Sequence, residues 1–187
     1  MPLLAREIDC FPPDLFESPD LNRRTEGTGW WVAYTRSRRE KDLMRRLVAT
    51  NTSFYCPIIS KRTRAPSGRI RESFVPLFPG YVFLYGNEDD RLTALTTNCV
   101  SWINPVADPI QLTRELAQVR RLIASNLPIT PEERVETGIA VRVLTGPLRG
   151  HEGVVIERRG KRRLLVSVDL LQQGASVDLD ECDVQPF

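Results

Sequence analysis

A chain of 187 residues has room for one or two domains. With 41% hydrophobic and 27% charged residues it reads as globular, and its apolar runs are far too short to cross a bilayer. The net charge of +2 hides an uneven distribution: the first 29 residues are acidic, whereas 36–71 are strongly basic, a clustering that bears on nucleic-acid contact more than the total does.

Phe11-Pro12-Pro13-Asp14 interrupts any signal-peptide core at the N-terminus. Cys10, Cys56, Cys99 and Cys182 form no C-x-x-C pair, and the chain holds one histidine, so neither a zinc site nor any other metal or cofactor is expected. Reduced thiols and a cytoplasmic location fit this usage.

Residues 1–28, broken by Pro12, Pro13 and Pro19 and without a period, are expected to be a flexible extension. Trp30-Trp31-Val32-Ala33-Tyr34 predicts a strand. Ser37-Arg38-Arg39-Glu40 has the form of a capping box, with Ser37 as N-cap and Glu40 reaching back; Leu43, Met44, Leu47 and Val48 then share one helical face. Residues 53–60 predict a second strand, at an edge or bulged at Pro57 because proline donates nothing to a ladder. Lys61, Arg62, Arg64, Arg69 and Arg71 make a basic loop or hairpin turning at Ser67-Gly68.

After the Pro79-Gly80 turn comes Tyr81-Val82-Phe83-Leu84-Tyr85, which alternates three rings on one face with Val82 and Leu84 on the other. The ringed face is either core or a docking surface. Asn87 caps a predicted helix through Thr96, Val100-Ser101-Trp102-Ile103 predicts a strand, and Thr113 is expected to cap a helix that buries Leu116, Val119, Leu122 and Ile123. The order suggests an α+β layer, an antiparallel sheet flanked by helices.

Leu127-Pro128-Ile129-Thr130-Pro131 reads as a linker. Beyond it, short valine-rich strands alternate with glycine turns, as in a small five-stranded β-barrel. Leu164, Val166, Val168 and Leu170 are expected to face one way, and His151 to be an exposed turn residue. The domain plan is an extension (1–28), a first domain (29–126), a linker (127–136) and a barrel (137–187). No Ser-His-Asp, Walker or paired-carboxylate pattern stands out, so no enzymatic activity is expected.

Trp30 to Tyr34, followed by a helix and then Leu77-Phe78-Pro79-Gly80-Tyr81-Val82-Phe83, resembles the N-terminal (NGN) domain of NusG-type transcription elongation factors. The run Val141-Arg142-Val143-Leu144-Thr145-Gly146-Pro147-Leu148-Arg149-Gly150-His151-Glu152-Gly153-Val154-Val155 resembles the KOW motif that opens that family's C-terminal SH3-like barrel. The resemblance implies an elongation or antitermination factor that binds the clamp helices of the largest RNA polymerase subunit and suppresses pausing. Through the KOW domain it implies recruitment of termination factor Rho or a small-subunit ribosomal protein. Trp31, Tyr34, Phe78, Pro79, Tyr81 and Phe83 match positions the family uses on polymerase, with Tyr34 and Tyr81 foremost because a phenol suits both an apolar wall and a wet edge. Alternation sends some of these rings inward.

Ser73-Phe74-Val75-Pro76 and Cys56-Pro57-Ile58-Ile59 lean toward the specialised RfaH-like paralogues, one of which reads non-template DNA with a His-Thr-Thr cluster; here Arg91, Thr93 and Thr96 occupy that segment without a histidine. Together with Lys61, Arg62, Arg64, Arg69 and Arg71 they are the candidate contacts to upstream or non-template DNA; the basic segment reads equally as a solvated loop. Pro147, Leu148, Leu170 and Leu171 are the candidate KOW partner contacts. The chain is expected to act as a monomer, away from membranes. The alternative is a KOW-containing RNA- or ribosome-associated binding protein. The valines of the barrel favour a permanent strand fold over refolding into a helical hairpin.

Overall fold

A computed structural model describes residues 7–22, 27–64, 68, 70–134, 138–180 and 182–187. Its elements in chain order are β1 (Cys10–Phe11), β2 (Gly29–Thr35), α1 (Glu40–Ala49), β3 (Ser53–Tyr55), β4 (Ile58–Arg64), β5 (Ile70–Pro76), β6 (Tyr81–Gly86), α2 (Glu88–Thr96), β7 (Val100–Pro105), α3 (Pro109–Ala124), β8 (Thr130–Glu132), β9 (Ile139–Val143), β10 (Glu152–Arg158), β11 (Lys161–Val168), β12 (Gln173–Asp178) and β13 (Val184–Pro186). The chain divides into two compact units, Met1–Ile110 and Gln111–Phe187, so α3 groups with the second unit rather than ending the first.

The first unit is built on an antiparallel sheet in the order β1-β3-β6-β2-β7. One face carries Ala33, Phe54, Val82 and Leu84 against Leu43, Met44 and Leu47 of α1 and Ala94 of α2, all buried. The spacing of the α1 residues puts them on one helical stripe. The other face carries Trp30, Val32 and Tyr34 of β2 directly opposite Tyr85, Phe83 and Tyr81 of β6. This is the α+β plan the pattern predicts.

The extension is not a flexible tail across 7–22. Cys10 and Phe11 pair with Tyr55 and Phe54, adding a strand to the sheet edge. Leu15 and Leu21 are buried, and Phe16 sits edge-on to Tyr55 at 5.0 Å and tilted against Trp30 at 6.1 Å. The prolines hide this in the sequence, but the apolar residues between them cover rings that would otherwise meet water.

Three further local expectations change. Ser37 does not cap α1, which begins at Glu40 without a side-chain cap. Residues 53–60 are not one strand: Pro57 interrupts the run, β3 stays in the main sheet and β4 pairs with β5 as a separate two-stranded ribbon. Thr113 lies inside α3, which starts at Pro109, where a missing N–H costs nothing in the first turn. The Asn87 cap of α2 forms as expected, as a reciprocal capping box with Asp90.

The strands of the second unit run in the order β13-β9-β10-β11-β12-β8, every neighbour antiparallel. The five predicted strands are all present, and a sixth, β8, lies inside the expected linker. Its place is held by side chains as well as backbone. Arg163 donates to Thr130 Oγ1 at 2.8 Å and to Ser176 Oγ at 2.9 Å, while the buried Ser176 hydroxyl donates to Glu132 Oε1 at 2.6 Å. Asp169, just after β11, accepts from Gln111 of α3 and donates its N–H to Glu115.

Candidate docking surface

Most of the ringed sheet face is covered. Trp30, Tyr55 and Phe83 are buried, and Phe78 packs edge-on to Phe83 at 6.4 Å. Phe78 and Phe83 are therefore core residues and not contact residues. Trp31 is also displaced from the expected patch. It points to the helical face, where its Nε1–H donates to the Gly86 carbonyl at 3.1 Å and the Arg91 guanidinium lies 5.6 Å from the ring centroid. Alternation through β2 forces this, since Trp31 and Tyr34 are three residues apart.

What stays open is one end of that face. Tyr34 is 38% exposed and Trp102 39% exposed, and Tyr81 is half-buried between them and the core. Tyr34 stacks on Trp102 at 5.4 Å with planes 14° apart, and Tyr81 is edge-on to both, at 5.1 Å and 6.4 Å. Rings in contact hold each other's orientation, so the cluster is a rigid apolar platform with hydroxyl and indole edges. The exposed Pro79 adjoins it.

Trp102 was not singled out by sequence reasoning. It reaches the platform because the β2–β7 register sets Trp102 directly opposite Tyr34, the last pair of an unbroken ladder that starts at Trp31 and Pro105; the register shifts only beyond it, where Thr35 faces Val100. Which residues of two strands stand opposite each other is a property of the pairing and leaves no compositional trace in either strand.

The turn beside the platform is tightly held. Gly80 has φ +87°, and a Cβ there would lie 2.7 Å from Tyr34 Cε2. Its carbonyl accepts from Thr35 N–H at 2.7 Å and its N–H donates to Glu40 Oε1 at 2.7 Å. Glu40 is thus committed to a residue 40 positions away, which explains why it does not reach back to Ser37.

The basic segment forms the β4–β5 ribbon, with Lys61, Arg62, Arg64 and Arg71 all exposed; Arg69 lies outside the described residues. Arg62 pairs with Glu72 at 3.3 Å, and the Ser60 hydroxyl, followed by Arg62, holds the Glu72 carboxyl below its ordinary range. Lys61 and Arg71 sit on the opposite face of the ribbon from that pair, and neither they nor Arg64 form an ion pair among the described residues. Arg91 is different: it pairs with Glu88 through its Nε at 2.9 Å and lies over Trp31, so its charge already has a partner within α2. Thr96 is exposed and donates to the Thr93 carbonyl within α2.

In the second unit Leu148 is fully buried, so of the KOW loop pair only Pro147 is exposed. Leu170 does not continue the inward row of Leu164, Val166 and Val168. A 3-10 turn at Asp169–Leu171 ends the alternation and leaves Leu170 51% exposed, with Leu171 half-buried. His151 is buried, not exposed: its Nδ1 bonds the Leu148 carbonyl at 2.9 Å, while Nε2 has no partner among the described residues.

Among the described residues no group of three His, Cys, Asp or Glu side chains could hold a metal, and no helix is long and apolar enough to cross a membrane. Residues 28–136 match the family described as NusG, transcription termination factor nusG. The chain is 28% identical over 171 residues to the transcription termination/antitermination protein NusG of Pseudomonas aeruginosa, an alignment covering 83% of this chain and 97% of that protein. It is 32% identical over 135 residues to the protein of the same name from Xylella fastidiosa, covering 64% of this chain and 73% of that protein.

Proposed function

The chain belongs to the NusG family, and from that premise we propose that it docks on the clamp helices of RNA polymerase through the Tyr34–Tyr81–Trp102 platform. It is a transcription termination/antitermination factor, and on this reading its first unit is the polymerase-binding half. The observation that supports the site is the selective exposure of these rings. The same sheet face buries Trp30, Tyr55 and Phe83 yet leaves two stacked aromatic residues more than a third exposed. Aromatic anchors of this kind dominate the energetics of protein interfaces, and the tip of a helical hairpin offers the apolar side chains they would grip. The protein works by holding the polymerase in an elongating state and suppressing pausing, a binding role without turnover.

The β4–β5 ribbon supplies a second contact. Lys61, Arg64 and Arg71 face solvent with their charges uncommitted within the described protein, the arrangement a phosphate backbone requires. We assign it to DNA beside the polymerase. Leu170, presented at a turn of the second unit, is the contact we assign to a further protein such as termination factor Rho or a small-subunit ribosomal protein.

Capture of the full chain on immobilised core RNA polymerase tests the docking site. Binding that falls at least tenfold on Trp102→Ala or Tyr34→Ala supports it. Equal binding by both variants and the parent removes the platform from the interface, and retention on ribosomal RNA alone favours a ribosome-associated protein.

A further inference from the structure

We propose that Glu40 is a positioning residue for the aromatic platform: its carboxylate holds the Gly80 amide, and through that turn it sets the rings of Tyr34 and Tyr81 against Trp102. The proposal rests on the docking reading above and adds to it a residue that touches no partner.

Four observations carry it. Glu40 is 9% exposed, and a buried carboxylate is expensive unless it is hydrogen-bonded, so its bond to Gly80 is a stringent requirement rather than a surface accident. It opens α1, where a carboxylate is favoured by the helix N-terminus, yet the helix starts without a side-chain cap while Glu40 serves the distant turn. Both polar groups of the Gly80 peptide are claimed, the N–H by Glu40 and the carbonyl by Thr35, so the turn is clamped between α1 and β2. Finally, the turn has no slack against the platform. The Gly80 backbone lies so close to the Tyr34 ring that an added Cβ would overlap it at 2.7 Å, and Tyr81, the next residue, donates its N–H to Phe78 within the same turn.

The consequence is mechanical. Freed of Glu40, the Gly80 peptide would seek water, and the ring it abuts would follow. Tyr34 would leave its parallel stack on Trp102, and the platform would lose its shape without losing a single aromatic residue. Glutamine keeps an oxygen acceptor in the same place, whereas alanine does not.

The test uses the full chain with Glu40→Gln, Glu40→Ala and Gly80→Ala, read by binding to the source organism's core RNA polymerase and by amide NMR of Gly80. The expected result is binding within about threefold of the parent for Glu40→Gln and a loss of tenfold or more for Glu40→Ala, with faster hydrogen exchange at Gly80 in the alanine variant alone. In a Tyr34→Ala background Glu40→Ala should add less than about twofold, because both changes disable the same element. Binding by Glu40→Ala equal to the parent, while Trp102→Ala fails to bind, overturns the positioning role and leaves the docking surface standing. Equal binding by Trp102→Ala, Tyr34→Ala and the parent overturns both. If Glu40→Ala does not fold, Gly80→Ala decides: it keeps the carboxylate and displaces the ring, so loss of binding supports the proposal and full binding refutes it.

Discussion

Tyr34 and Trp102 stack across the β2–β7 pair at 5.4 Å with their planes 14° apart, and both remain more than a third exposed. A large flat apolar surface held rigid by its own neighbour and left in water is costly to the free protein. It is explained when another molecule covers it.

Trp102→Ala should therefore separate binding from folding. Affinity for core RNA polymerase is expected to fall tenfold or more, while the thermal midpoint falls less than on loss of a fully buried ring, because Trp102 is already 39% exposed. Phe83→Ala is the converse control. Its side chain is fully buried, and its loss should cost about 3–5 kcal/mol of stability in chemical denaturation.

The extension should act as part of the first unit's core. Phe16→Ala removes the ring that covers Tyr55 and Trp30, and is expected to cost about 2–4 kcal/mol. Tryptophan fluorescence should shift to the red as Trp30 gains water. An unchanged spectrum and midpoint would mean that residues 7–22 contribute no packing.

Replacing Lys61, Arg64 and Arg71 together by alanine should lower the salt dependence of DNA binding by the polymerase-bound protein. At roughly 0.9 per duplex phosphate contact, the log–log slope should drop in magnitude by about 2.7. The polymerase affinity measured without DNA should not change. An identical slope in the parent and the variant would assign the ribbon to solvent.

The ribbon is also expected to loosen in acid. The Ser60 hydroxyl and Arg62 lower the pKa of Glu72 in the folded state. Such a group contributes its stability above the unfolded glutamate pKa and loses it as pH falls through the lower folded value. The protection of the β4 and β5 amides, relative to their intrinsic exchange rates at each pH, should thus fall below about pH 4.3. Glu72→Gln should flatten that pH response, as measured by exchange mass spectrometry from pH 6 to pH 3.

The elements themselves were legible in the sequence because strand alternation, helical periodicity and turn chemistry are local properties. The Asn87 cap, the alternation of β6 and the five strands from β9 onward all follow from neighbours within a few residues. The same local view failed wherever a distant group intervened. Glu40 looked like a capping residue until Gly80 claimed it, and Thr130–Glu132 looked like a linker until Arg163 and Ser176 drew it into the sheet.

The site divides along the same line. Alternation alone put Tyr81, Phe83 and Tyr85 on one face of β6, and only the family resemblance added Tyr34 to the candidate contacts. Period two defines two faces but does not say how much of either is covered. That was decided by Phe16 from the extension, which lies over Tyr55 and Trp30, and by the β2–β7 pairing that sets Trp102 opposite Tyr34. Burial depends on segments remote along the chain, so the exposed platform belongs to the tertiary structure even though each ring in it is a residue of an ordinary strand.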